Sequence, residues 1–168
     1  MSEPHVVKPP HGTVEVRGGV RIRIRRSRAE DFDALAPLVT QLFADPSLDV
    51  SFIKRIYLRG VRSGDTIYVC AERDGRVVGF AACSVTGSLR DAAVLGRIDT
   101  VVVEAAQRRM GIGTALINHL IRAAQRRGCR RVELASPFRN PDAHSYYRER
   151  GFDASEYVFS KTFRERVG

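Results

Sequence analysis

The chain is poor in the residues that mark several common protein classes. Its 168 residues include three cysteines, Cys70, Cys83 and Cys129, an odd number with no Cys-x-x-Cys spacing. That argues against a disulfide framework and suits a reducing compartment, with all three thiols as small buried apolar groups. If Asp74-Gly75 forms a hairpin turn, Cys70 falls opposite Gly79 and not opposite Cys83. Histidine is as sparse: His5 and His11 lie near the start, and His119 and His144 have no cysteine or second histidine close by. No metal-ligating pattern results. No apolar run approaches the roughly 20 residues that span a bilayer, and the opening MSEPHVVKPPHG lacks the apolar centre of a leader. A cytoplasmic protein without a membrane partner is the expectation.

Charge of one sign is abundant. There are 28 lysines and arginines against 19 acidic residues, a net charge of +9. Only Lys8, Lys54 and Lys161 are lysines, so 25 of the cations are arginines. Such a surface attracts nucleic acid, an anionic membrane or an anionic small molecule. Arginine-biased composition spread over solvated faces is the plain alternative. No recognition-helix motif and no aromatics interleaved with the arginines accompany the charge, so the pattern does not favour nucleic acid.

An apolar fraction of 43% suffices for a core, and the length suits one domain. Residues 1–19, rich in Pro, Gly and His, read as a flexible tail ahead of a domain over 20–168. Residues 20–26 alternate, with Val20, Ile22 and Ile24 against Arg21, Arg23 and Arg25, which predicts a half-exposed strand. Ser27-Arg28-Ala29-Glu30 has capping-box form and opens a helix with Phe32, Leu35, Val39 and Leu42 on one face and Pro37 inside it. Asp45-Pro46-Ser47 stops that helix, and a second follows with Phe52, Ile53, Ile56, Tyr57 and Val61 inward. Strands are predicted over 66–72, 77–85, 96–103 and 131–136, with one or two more closing the sheet over 152–163. A long helix ends at Arg127-Gly128, and a short one covers 142–150. The order is that of an α/β domain with a mixed sheet.

The most specific segment is Gln107-Arg108-Arg109-Met110-Gly111-Ile112-Gly113-Thr114, between a strand and the long helix. A helix N-terminus offers amides without intrahelical partners and about half a positive charge. Gly111 and Gly113 remove Cβ atoms that would keep an anion off the backbone, and Arg108 and Arg109 add charge, so the segment suits a diphosphate. It lacks the GKS/T ending of a Walker loop, and Leu116 breaks the dinucleotide fingerprint. An ordinary helix start with two glycines and two surface arginines is the bland alternative.

The string Arg108-x-x-Gly111-x-Gly113 after a strand resembles the coenzyme A signature of the GNAT superfamily of N-acetyltransferases. Asn140, Ala143 and Tyr147-Arg148-Glu149-Arg150-Gly151-Phe152 resemble that family's later block, and residues 26–32 its first strand-to-helix junction. The resemblance implies an α/β (α+β) single-domain fold: a mixed, mostly antiparallel sheet of six to seven strands, a splayed parallel pair, and flanking helices. It implies acetyl-CoA as cosubstrate. Pantetheine would bond the backbone at Val101, Val102 and Val103, and the diphosphate the amides of Arg109, Met110, Gly111, Ile112, Gly113 and Thr114 beside Arg108. Acetyl transfer to a primary amine would proceed by direct attack in a ternary complex.

In that scheme Tyr147, which would also line the cofactor site, is the general acid for the leaving thiolate, with Tyr146 its competitor. Asp99 is the candidate base, with Glu104 at the end of the same strand. A packed aromatic and a salt-bridged carboxylate are the ordinary alternatives for these positions. Asn140 either bonds pantetheine or caps the helix that follows it. The resemblance assigns acceptor choice to residues 43–65, 86–95 and 137–145, whose composition names no ligand. It allows a homodimer through C-terminal strands. It also allows an RNA-directed alternative, since some small basic relatives acetylate aminoacyl-tRNA.

Overall fold

An alternating strand, Val20–Arg26, borders longer apolar strands in the sheet. In the computed structural model, which describes residues 12–42, 48–136 and 140–163, the strands are β1 (Gly12–Val16), β2 (Val20–Arg26), β3 (Thr66–Arg73), β4 (Arg76–Ser88), β5 (Ala93–Val103) and β6 (Cys129–Leu134). They lie side by side in chain order. Every neighbouring pair is antiparallel except β5 and β6, which run parallel. The helices are α1 (Phe32–Thr40), α2 (Val50–Arg62), α3 (Ile112–Arg126) and α4 (Pro141–Arg148). The chain divides into two compact units, one through Leu134 and one from Ala135 onward. The mixed, mostly antiparallel α/β sheet with one parallel pair matches the expected class.

α3 is amphipathic: Ile112, Leu116, Ile117 and Leu120 are buried along one stripe, with Ala123 and Ala124 completing it. Leu116 and Leu120 are fully enclosed, a burial worth roughly 2 kcal/mol each. α1 and α2 contribute Phe32, Leu35, Leu38 and Tyr57 to a cluster with Cys70, Phe80, Ala82 and Val102 of the sheet. No helix among the described residues is long and apolar enough to cross a membrane.

Several expectations are corrected. The segment 12–19, read as tail, supplies β1, which pairs with β2 from Gly12↔Ile24 to Val16↔Val20; the remaining tail residues lie outside the described ones. A strand of mixed polarity forms there because β2 offers it a backbone edge, a partner that periodicity cannot register. The closing strands expected over 152–163 do not form: residues 153–163 have no regular structure, and Tyr157, Val158, Phe159 and Phe163 are exposed. Cys70 sits opposite Phe80, because a bulge between Ala71 and Glu72 shifts the register by one.

In α2, Tyr57 faces inward as expected, and Ile53 and Val61 pack against the core, but Phe52 and Ile56 are exposed and Leu58 packs inward instead. Asp49 caps this helix, accepting from the Ser51 and Phe52 amides. Ser27 is no helix cap, since its hydroxyl is engaged by Tyr57 and Cys70; Asp31 takes the Arg28 amide instead. Asp45-Pro46-Ser47 lies outside the described residues.

Candidate active site

The loop between β5 and α3 is shaped by two left-handed residues, Arg109 (φ 66°) and Gly111 (φ 87°). Gly111 adopts that conformation freely; Arg109 pays for it, at about 1 kcal/mol. Successive amides in such a turn point into one concavity, which is how a backbone binds anions. The first i→i−4 bond of α3 runs from the Ala115 N–H to the Gly111 carbonyl (3.0 Å), so the amides of Ile112 and Gly113 have no intrahelical acceptor. A Cβ at Gly113 would meet only Val103 Cγ2, at 3.9 Å. Packing inside the fold therefore does not require glycine there, whereas an anion approaching the backbone does. The residues present fit the diphosphate of a coenzyme A group.

Neighbours fix the loop from three sides. Arg73 donates to Gln107 Oε1 at 2.7 Å. The Arg17 amide, just past β1, donates to the Met110 carbonyl at 3.1 Å. Arg108 is tied inward, donating through Nε to the Val103 carbonyl (3.1 Å) and through Nη2 to Gln41 Oε1 (3.2 Å). Arg109 has no ion pair among the described residues. Of the two arginines assigned to a phosphate, only Arg109 is left uncommitted.

β5 and β6 separate beside this loop. Their pairing ends at Ile98↔Leu134, and residues 99–103 of β5 continue without β6 on that edge. The backbone of Val101 and Val103 lies in this stretch, while the Val102 side chain is buried in the core cluster. Asp99 is the residue that a bulge leaves over: Ala82 pairs with Thr100 and Cys83 with Ile98. Its carboxylate receives Ser84 Oγ at 3.4 Å. Surrounding protein raises the Asp99 pKa, and hydrogen bonds from Thr100 and Ser84 with the charge of Arg97 hold that rise back. Glu104 is paired with Arg76 (3.3 Å), the ordinary fate of a strand carboxylate.

The unit after Leu134 carries the remaining candidates. Asn140 caps α4, its side chain accepting from the Ala143 amide at 3.2 Å. The spacing from Tyr147 to Gly151-Phe152 has a local cause. Gly151 (φ 79°) ends the helix, the Phe152 amide returns to the Tyr147 carbonyl (3.1 Å), and the two rings meet at 5.7 Å. This is a Schellman ending with its hydrophobic contact, and it holds Tyr147 in place. Tyr146 packs edge-on to Tyr147 at 5.3 Å and carries the Arg150 guanidinium at 3.6 Å. Burial, then the neighbouring Tyr146, raises the Tyr147 pKa.

Sequence reasoning missed Arg17, Gln41 and Arg73, which brace the loop from far along the chain. It also missed Tyr68 on β3, whose ring lies between Tyr57 (5.7 Å, stacked) and Phe80 (5.5 Å, edge-on).

Comparisons with known proteins bear on the family and the fold. The family model described as acetyltransferase (GNAT) family matches residues 29–152. An aminoalkylphosphonate N-acetyltransferase of Salmonella typhimurium is 27% identical over 138 residues, covering 82% of this chain and 89% of that protein. A probable glucosamine 6-phosphate N-acetyltransferase of Oryza sativa is 27% identical over 152 residues, covering 86% and 90%. Among solved structures, an aminoglycoside N-acetyltransferase in complex with CoA superposes with a TM-score of 0.75 at 20% identity, covering 94% of this chain and 99% of that one.

Proposed function

The chain belongs to the acetyltransferase (GNAT) family and is an acyltransferase, and from that premise we propose that it moves an acetyl group from acetyl-CoA to a primary amine by direct attack in a ternary complex. The observation that carries the cosubstrate is the loop before α3: left-handed Arg109 and Gly111, amides without intrahelical acceptors, and an opening at Gly113 that packing does not explain. Acetyl-CoA supplies the activated thioester. The Ile112 and Gly113 amides and Arg109 hold its diphosphate, and the β5 backbone at Val101 and Val103 takes the pantetheine arm. An N–H of that strand edge stabilises charge developing on the thioester oxygen.

A primary amine has a pKa near 10 and arrives mostly protonated. Asp99, its carboxyl raised toward neutral pH by burial, takes that proton. The amine lone pair then attacks the carbonyl carbon, and the C–S bond breaks. Tyr147 keeps its own proton at neutral pH, since burial raises its pKa, and supplies it to the departing thiolate. The acceptor that the relatives support is an amine bearing a phosphoryl or phosphonyl group, since they are named for an aminoalkylphosphonate and for glucosamine 6-phosphate. The net charge of +9 suits such an anion.

Titration with CoA and acetyl-CoA, followed by thiol release over an amine panel, tests the reading. The panel comprises 2-aminoethylphosphonate, glucosamine 6-phosphate, an aminoglycoside, lysine peptides and aminoacyl-tRNA. Sub-millimolar CoA binding and preferential turnover of the first two amines are expected. No CoA binding would remove the cosubstrate, and preference for aminoacyl-tRNA would replace the acceptor class.

A further inference from the structure

Tyr68 is the tyrosine of the sheet that the fold holds firmly and yet leaves unused. Its ring is fixed on two sides by Tyr57 and Phe80. On a third side it fills the place of a side chain at Gly60 of α2, where an added Cβ would collide with the phenol ring and its hydroxyl. The ring is therefore positioned by two elements, α2 and β4. Its hydroxyl makes no hydrogen bond among the described residues. A tightly packed tyrosine usually gives its hydroxyl a partner, and Tyr57 beside it does so, donating to the Arg28 carbonyl at 2.5 Å.

The sheet register places Tyr68 in line with the candidate base. Tyr68 pairs with Ala82, and Ala82 pairs with Thr100, next to the bulged Asp99. Thr66 and Ser84 form the neighbouring row on the same face, and Ser84 hydrogen-bonds Asp99. Two strand spacings separate β3 from β5, about 10 Å. The charge of Asp99 reaches the phenol and, after burial, is what keeps it in the neutral form. The other ionisable groups facing Asp99 are Cys83, whose thiol is pushed up to about 12, and Arg97 on its own strand.

We propose that Tyr68 is an acceptor-contacting residue, its hydroxyl oxygen taking one N–H of the attacking amine while Asp99 takes another. A primary ammonium has three N–H groups to place, and Asp99 alone fixes only one direction. A second contact from a rigid phenol turns the nitrogen lone pair toward β5. The inference rests on Asp99 as the base.

The test is steady-state kinetics of Tyr68→Phe and Asp99→Asn with the panel amine that the wild type turns over best. Removing only the hydroxyl should raise the acceptor KM about 10-fold, as loss of one hydrogen bond does, with the acetyl-CoA KM unchanged. A second variant, Gly60→Ala, keeps the hydroxyl but displaces the ring, and should raise the acceptor KM in the same direction. Unchanged acceptor KM in Tyr68→Phe, with Asp99→Asn inactive, overturns this proposal and leaves the base reading standing. Full turnover by Asp99→Asn, or no turnover of any amine by the wild type, overturns both.

Discussion

Two tyrosines stacked 5.7 Å apart and two aspartates served by the same sheet behave in opposite ways. Around Tyr57 every polar group is used. Cys70 Sγ donates to Ser27 Oγ (3.1 Å), Ser27 meets the Tyr57 hydroxyl (2.5 Å), and Tyr57 donates to the Arg28 carbonyl. Asp31 accepts both Arg25 terminal nitrogens (2.7 and 2.8 Å) and the Arg28 amide (2.7 Å), while Arg25 also reaches Glu72 (2.6 Å). Burial alone would raise the Asp31 carboxyl, yet Arg25 and the Arg28 amide bring it below the ordinary value. Around Tyr68 the hydroxyl has no hydrogen bond among the described residues, and Asp99 keeps a raised carboxyl. A saturated network secures the junction of β2, α1 and α2; the Tyr68 hydroxyl beside it makes no hydrogen bond among the described residues.

The largest effect that would break the contrast is on stability. Asp31→Asn leaves Arg25 facing a neutral amide in a nearly buried site and should cost about 3 kcal/mol, read as a drop in denaturant midpoint. Asp99→Asn should leave stability equal or slightly higher and lower kcat/KM at least about 100-fold, the size of a general-base contribution. If the two variants exchange these effects, the assignment of the two regions is wrong.

Acid should separate the same pair. A depressed carboxyl such as Asp31 contributes stability that is present above its unfolded pKa and lost as pH falls through its lower folded value. Its share of acid unfolding therefore lies below the ordinary range near 3.8. Asp99 is raised, so its ionised form costs stability as pH rises through the folded value, while activity as a base appears over that same rise. The acid limb of the kcat/KM profile is expected above 3.8 and should vanish in Asp99→Asn.

Removing hydroxyls gives a smaller contrast. Tyr57→Phe strips the Arg28 carbonyl and Ser27 of a buried partner and should cost roughly 1–3 kcal/mol; Tyr68→Phe should cost no more than about 0.5 kcal/mol, because no group among the described residues loses a bond. Thermal melts of both variants decide this. The smallest effect is at the loop before α3. Gly113→Ala should gain up to about 0.5 kcal/mol from helix propensity, since its Cβ fits against Val103. It should weaken CoA binding, checked by titration. An alanine that changes neither would return Gly113 to an ordinary helix start.

Much of this was legible in the chain. β2 was read to its boundaries from the alternation of Val20, Ile22 and Ile24 with arginines. α3 followed from the spacing of Ile112, Leu116 and Leu120. The loop glycines and the Tyr147 to Phe152 spacing stood out because a left-handed turn and a helix stop restrict residue type locally. Less legible were features that depend on what lies opposite. β1 needs the edge of β2, the outward turn of Phe52 and Ile56 depends on where α2 meets the sheet, and the C-terminal aromatics look like strands without pairing as such.

The sequence by itself determined the class of sheet, the position of the glycine turn before α3 and the excess of positive charge, because periodicity, glycine conformation and charge are properties of neighbouring residues. Only the tertiary structure decided which groups are satisfied and which are left open. Asp31 and Asp99 are the same side chain, as are Tyr57 and Tyr68. Their pKa values and hydrogen bonds differ because groups such as Ser27, 30 positions from Tyr57 in sequence, are brought against one member of a pair and not the other. Solvation and partnership are set in space, where sequence distance has no bearing.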